Sequence, residues 1–164
     1  VDLDAFHDLV SWVDYPMFIV TTAAADQRAG CLVGFLTQAS IKPPRLLVLI
    51  SKANFTYRVV RGADVLVVHF LSTADYEVAR LFGEQTGDEV DKFAQCEWAP
   101  GPSGTPVLHT RGWVAGRIRH RLDAGDHVAH LIDPVAAEVC PPRADDERPL
   151  TFQQVRHFKP GHPS

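Results

Sequence analysis

Apolar and polar positions divide the chain into short elements. Phe6, Leu9, Val10 and Val13 recur at i, i+3, i+4 and i+7, which predicts a short amphipathic helix that ends before Pro16 and packs on the outside of the core. Residues 17–22 are apolar and β-branched, Asp26-Gln27-Arg28-Ala29-Gly30 is a turn signal, and residues 31–36 return as a second strand, so a hairpin is expected. Residues 46–50 read as a strand apolar on both sides. Residues 54–62 read as a short helix, and residues 64–70 as another buried strand.

Val78, Leu81 and Phe82 share one helical face, with Ser72 or Thr73 placed to cap that helix and Gly83 to stop it. The run from 99 to 106 holds too much proline and glycine for a regular element and predicts an exposed loop. Residues 113–122 and 127–139 then form two long strands joined by the hairpin turn Asp123-Ala124-Gly125-Asp126. Alternation in the first puts Arg117, Arg119 and Arg121 on a wet face and Val114, Ile118 and Leu122 on a buried one. The cluster Arg143-Ala144-Asp145-Asp146-Glu147-Arg148 reads as a solvated loop, and residues 151–158 as a last short strand. About six or seven strands, with helices confined to connections, predict a mostly β protein whose antiparallel sheet closes into a barrel, rather than a doubly wound α/β fold.

Composition fits that picture. At 164 residues, 46% hydrophobic and 22% charged, the chain suits a single domain over residues 1–164 with a substantial core. The net charge of −4 argues against nucleic acid as a partner, because phosphate binding needs a basic surface. No apolar run approaches the ~20 residues that span a bilayer, so no membrane insertion is expected. The acidic start Val1-Asp2-Leu3-Asp4 lacks the layout of a secretory signal. Three widely spaced cysteines, Cys31, Cys96 and Cys140, do not make a disulfide framework and suit a reducing, cytoplasmic location.

Several common sites are missing. There is no Gly-x-Gly pair for a dinucleotide turn or phosphate loop, and no Gly-x-Ser-x-Gly for a hydrolase elbow. His120, His127 and His130 lie close in sequence but lack metal-ligand spacing, so no metal site is expected. The positive signal is a pair of hydroxyl-rich segments. Ser51-Lys52-Ala53-Asn54-Phe55-Thr56 marks a strand end and a helix start, where backbone N–H groups, the Lys52 charge, Asn54 and Thr56 can converge on an anion such as phosphate. Thr37, Gln38, Ala39 and Ser40, in what reads as a loop running to Pro44, offer amides and hydroxyls to a flat heterocycle or a polyol chain. Taken alone, each segment also has the plainer reading of a capped helix or an ordinary turn.

Five segments in order carry a family resemblance: Thr37-Gln38-Ala39-Ser40-Ile41-Lys42-Pro43-Pro44, Lys52-Ala53-Asn54-Phe55-Thr56-Tyr57, Asp91-Lys92-Phe93, Glu97-Trp98-Ala99-Pro100-Gly101-Pro102 and Ala124-Gly125-Asp126-His127. Over about three quarters of its length the chain resembles the flavin reductase-like, FMN-binding split-barrel family. The resemblance implies a split β-barrel, a Greek-key antiparallel barrel with short peripheral helices. It implies an NAD(P)H-dependent flavin reductase in which nicotinamide delivers hydride to N5 of FMN or FAD. Thr37, Gln38, Ala39 and Ser40 would then contact the flavin body, Ser51, Lys52, Asn54 and Thr56 its phosphate, and Phe93 would lie near the flavin. His127 would stand nearest the chemistry, orienting nicotinamide or supplying charge; it also has the plainer reading of a turn residue bonded to Asp126. A homodimer with sites near its interface, and a separate monooxygenase that consumes the reduced flavin, are implied as partners. The rival within the fold is a flavin-binding electron carrier or flavin store without NAD(P)H activity. The chain departs from the family pattern at Phe35, whose bulk leaves FMN against FAD open, and at Phe55, which reads as core filler in preference to an adenine contact.

Overall fold

The structure, a computed structural model, describes residues 1–162. Helix α1 (Leu3–Trp12) is capped by Asp2, whose side chain accepts from the Ala5 N–H, but it buries none of its residues. The expected packing of this helix on the core is not made. Strands β1 (Phe18–Ala24) and β2 (Gln27–Val33) form the expected hairpin, with Ala25 and Asp26 both at positive φ as a two-residue primed turn requires. Gly34 and Phe35 interrupt the strand expected to reach residue 36, and the chain resumes as β3 (Leu36–Ser40), paired with β4 (Arg45–Ser51). Thr37, Gln38, Ala39 and Ser40 are therefore an edge strand and not a loop. With only one neighbour, that strand tolerates small polar residues.

Helix α2 (Phe55–Val60) leads to β5 (Val65–Phe70). A capping box of Ser72 and Asp75 then starts a single 3-10 turn that runs into α3 (Tyr76–Glu84), one residue past Gly83. Where a loop was expected, β6 (Trp98–Pro100) and β7 (Pro106–Leu108) pair as a short ribbon around a tight turn. Strands β8 (Gly112–Asp123) and β9 (His127–Val139) form the long hairpin. The stretch expected as a last strand is instead α4 (Phe152–Val155), opened by a capping box of Thr151 and Gln154.

The main sheet is antiparallel throughout, in the order β2-β1-β5-β8-β9-β4-β3. Phe18, Val20, Cys31, Val33, Val48, Ile50, Leu66 and Val68 meet on one face, so residues from both ends of the sheet share one core. No hydrogen-bonded ladder joins β2 to β3. The opposite face of β1 carries Met17 and Ile19 into a second core with Phe82, Leu108 and Leu150. Burial on both faces explains why β1 and β5 are nearly continuous in apolar residues.

One register shift overturns part of the alternation. A bulge between Ile118 and His120 resets the side-chain parity of β8. Arg121 leaves the wet face and donates to the Val60 and Ala63 carbonyls at 3.1 and 2.9 Å, while Leu122, expected to be buried, is exposed.

The 143–148 cluster is not simply solvated. Arg143 grips the buried Asp75 carboxylate through Nη1 and Nη2, at 2.7 and 2.9 Å, and holds Asp146 at 2.8 Å. The Arg143 and Ser72 hydrogen bonds keep the Asp146 carboxyl far below its usual range. This knot fastens the C-terminal segment to the start of α3. The chain then pairs across the base of the sheet, with Met17 N–H donating to Leu150 O at 2.8 Å and Phe152 N–H to Tyr15 O at 2.8 Å.

His69 fastens the cores from inside. Its Nε2 accepts from the Leu108 N–H at 2.9 Å, so Nδ1 carries the proton and donates to Ile19 O at 3.0 Å, which defines a neutral ring. Complete burial pushes its pKa down to about 4. The unfolded chain therefore takes up a proton near pH 6.5 that the folded chain refuses until about pH 4, and stability falls as pH drops through that window. Urea unfolding should show a loss of about 2 kcal/mol between pH 7.5 and 5. A His69→Gln variant, less stable at pH 7.5, should lose clearly less over the same interval.

Candidate active site

The site is built at one end of the β4–β9 ladder. Ser51 stands opposite His127, and Lys52 N–H extends the pairing by donating to Asp126 O at 2.9 Å. The hairpin turn reverses through Gly125 at φ 127°, a conformation that favours glycine, while Gly125 N–H donates to Asp123 Oδ1 at 3.0 Å. These constraints fix His127 at the start of β9. Its Nδ1 lies 2.7 Å from Asp126 Oδ1, and that hydrogen bond, followed by the charge of His127, lowers the Asp126 carboxyl below its ordinary range.

A cavity of about 410 Å³ opens beside this ladder end. It brings together Ser51, Asn54 and His127 with Phe35, Tyr15 and Phe152. Three aromatic rings form its wall: Tyr15 stacks on Phe152 at 4.9 Å and 16°, and Phe35 stands 6.4 Å from Tyr15 and 5.1 Å from the His127 ring. Phe35 is 52% exposed, so its apolar surface faces open space beside the histidine. Buried Cys31 also lines the cavity, its thiol pKa raised by desolvation.

The remaining sequence-derived residues are placed differently. Thr37, Gln38, Ala39 and Ser40 lie outside the cavity on β3, leading away from Phe35 along the free edge of the sheet. Lys52 is exposed and paired with Asp123 at 2.8 Å. Thr56 is buried against Cys31, with its N–H capped by Asn54 Oδ1 at 2.9 Å. The expected row of free backbone donors is largely used up: the N–H groups of Lys52, Ala53, Asn54, Thr56 and Tyr57 all have partners within the protein.

Phe93 sits in the second core, edge-on to Phe82 and Trp98, and is not brought to this cavity. Its neighbour Lys92 is buried as well, donating to Gly30 O and Phe82 O at 2.9 and 3.0 Å, and desolvation lowers its pKa. Here the Asp-Lys-Phe segment braces β2 against α3.

Sequence reasoning missed Tyr15, Met17, Phe152, Pro160 and His162 in the cavity wall. All but the last two could have been approached through the Thr151/Gln154 capping signal and the Tyr15 and Met17 side chains flanking Pro16. Nothing local marks Pro160 or His162.

Comparison with known proteins identifies the family of the chain. The family model described as "Flavin reductase like domain" matches residues 10–162. The chain belongs to this family. Among curated relatives, it is 32% identical over 141 residues to the FMN reductase (NADH) of Methylorubrum extorquens, covering 84% of this chain and 68% of that one. It is 32% identical over 114 residues to a stachydrine N-demethylase reductase subunit of Rhizobium meliloti, covering 66% of this chain but only 48% of the relative. The chain thus spans about half the length of that subunit. In fold, it matches a flavin reductase domain protein of Arthrobacter sp. FB24 with a TM-score of 0.82 at 20% identity, covering 93% of this chain and 91% of the other.

For this flavin reductase-like chain, the capping role of Asn54 can be tested apart from its expected role toward a ligand. Asn54→Ala should lower the unfolding free energy by about 1 kcal/mol through loss of the α2 cap. Asn54→Asp keeps the capping oxygen and should restore that stability, while removing the amide donor and placing a negative charge at the cavity. Urea melts of the two variants, set beside their FMN affinities, separate capping from ligand binding.

Proposed function

We propose that the protein is an NAD(P)H-dependent flavin reductase. The observation that carries this reading is the convergence of an exposed Phe35 ring, His127 and the donors Ser51 and Asn54 on one cavity. An aromatic wall with a few polar groups suits a flat heterocycle whose polar tail must be fixed. The FMN reductase (NADH) named among the relatives points to the same chemistry.

A flavin held by these residues would supply the redox chemistry, accepting hydride from reduced nicotinamide and passing electrons onward. The chain positions the reactants. Phe35 offers a face on which a ring can lie, and Tyr15 and Phe152 hold that wall rigid. Asp126 fixes the His127 ring through Nδ1, leaving Nε2 as the atom able to meet a ligand. Ser51, Asn54 and Lys52 receive the phosphate, and Lys52 exchanges its exposed Asp123 partner for it. An exposed ion pair of this kind is worth only about 0–1 kcal/mol, so the exchange is inexpensive. Thr37, Gln38, Ala39 and Ser40 carry the flavin body along the open edge of β3. Thr56 serves by shaping α2, and Phe93 by supporting the core.

The sheet acts as a split barrel within one domain, its β2 and β3 edges closed by side chains and not by a ladder. Those free edges and the unburied apolar face of α1 support a homodimer in which a second copy covers the flavin. Three free thiols suit the cytoplasm, and among the described residues no helix is long and apolar enough to cross a membrane. The reductase subunit among the relatives supports a separate oxygenase-type component as consumer of the reduced flavin.

Fluorescence titration with FMN tests the phosphate assignment. Lys52→Ala should weaken binding by about 1–2 kcal/mol, as expected for a lost charge-assisted hydrogen bond. Asp123→Asn, which frees the ammonium while keeping an acceptor for the Gly125 N–H, should tighten binding about threefold. Unchanged affinity in both variants would remove Lys52 from the site.

A further inference from the structure

The C-terminal tail makes a wall that the flavin reading does not require. Pro160 and His162 line the cavity that holds His127, and the same two residues line a second cavity of about 340 Å³. Met17, Leu32, Asn54 and Phe152 are also common to both. The tail therefore stands between the two cavities together with Phe152 and the residues of the core beneath it. Beyond it the second cavity offers the Phe158 ring, the Gln85 amide and the Arg156 guanidinium.

The partition is seated by specific contacts. Gly161 packs directly on the backbone at the C-terminal end of α3, where a Cβ would stand 2.7 Å from Glu84 O, Gln85 C and Thr86 N. Only glycine allows that approach. Phe158 meets the Tyr76 ring edge-on at 5.4 Å, and Tyr76 Oη lies 2.8 Å from His157 Nε2. The tail is thus held by ring packing, a hydrogen bond and one close backbone contact.

We propose that residues 159–162 act as a size filter, admitting FMN and holding back the adenosine monophosphate half of FAD. This rests on the flavin reading above and names the form of flavin that the site takes. FMN ends at its phosphate, and with that phosphate at Ser51 and Asn54 the ligand stops short of the partition. FAD continues past the same phosphate, and Asn54 lines both cavities. The added nucleotide half must displace Pro160 and His162 to reach the second cavity. Once the tail is displaced, a ring, an amide and a guanidinium are well suited to receive an adenine and a further phosphate.

The test compares FMN and FAD dissociation constants, by flavin fluorescence, for the full chain, Gly161→Val and a deletion of residues 159–164. Circular dichroism and thermal melting establish that each is folded, and the deletion serves if the valine variant is not. The full chain is expected to bind FMN at least about tenfold more tightly than FAD. Unseating the tail should narrow that ratio to about threefold or less, with FAD binding strengthened relative to the full chain. Equal affinities in the full chain, a preference for FAD, or a tenfold preference that survives in both variants would overturn the filter alone. A chain that binds neither flavin would overturn the flavin reading with it.

Discussion

The register of β4 against β9 is the constraint on which the site depends. Val48 and Ile50 are buried in the first core, and His130 opposite Val48 is buried with its Nδ1 3.2 Å from the Val48 carbonyl. A slip of one residue would carry Val48, Ile50 and Ile132 off the core face and break the contact of His130 with the Val48 carbonyl, so the ladder has one stable alignment. That alignment sets Ser51 across from His127 and lets Lys52 N–H reach Asp126 O at the turn. The candidate site is thus positioned by burial several residues away, and the turn at Gly125 only closes it.

The long-range strap at the C-terminus supplies the other half of the site. Arg143 and the carboxylates of Asp75 and Asp146 fasten the segment at one point, and the backbone pairing of Leu150 and Phe152 with residues on either side of Pro16 fastens it at another. Between them they bring Phe152 against Tyr15, and the tail that follows supplies Pro160 and His162. The wall opposite the β4–β9 ladder therefore depends on contacts made more than a hundred residues apart in sequence.

What could be read from the residues follows from the range of the forces involved. The apolar runs of β1, β4 and β5 and the Asp123 to Asp126 turn are local patterns, and each emerges where expected. Arg121 and Leu122 were misassigned because one bulged residue reverses every later parity, and nothing local marks it. Thr37, Gln38, Ala39 and Ser40 read as a loop because an edge strand needs no alternation of apolar side chains. At the site, Ser51, Asn54 and His127 were legible because they sit at strand ends and a helix cap, where side-chain chemistry is tied to local backbone. Tyr15, Phe152 and the tail were not, since only the strap brings them near. Phe93, expected near the flavin from its motif, fills the space between Phe82 and Trp98 and lies outside the His127 cavity.

Under the proposed reading the chain would need to hold two flat rings in contact, and the aromatic wall beside His127 is suited to that task. Anaerobic stopped-flow mixing of the FMN-loaded protein with NADH measures this most directly. The flavin absorbance is expected to bleach in a single turnover, and His127→Ala should slow that bleaching by about tenfold or more with little change in FMN affinity. Bound flavin that stays oxidised under NADH and under NADPH would contradict the reductase and leave a flavin carrier in its place.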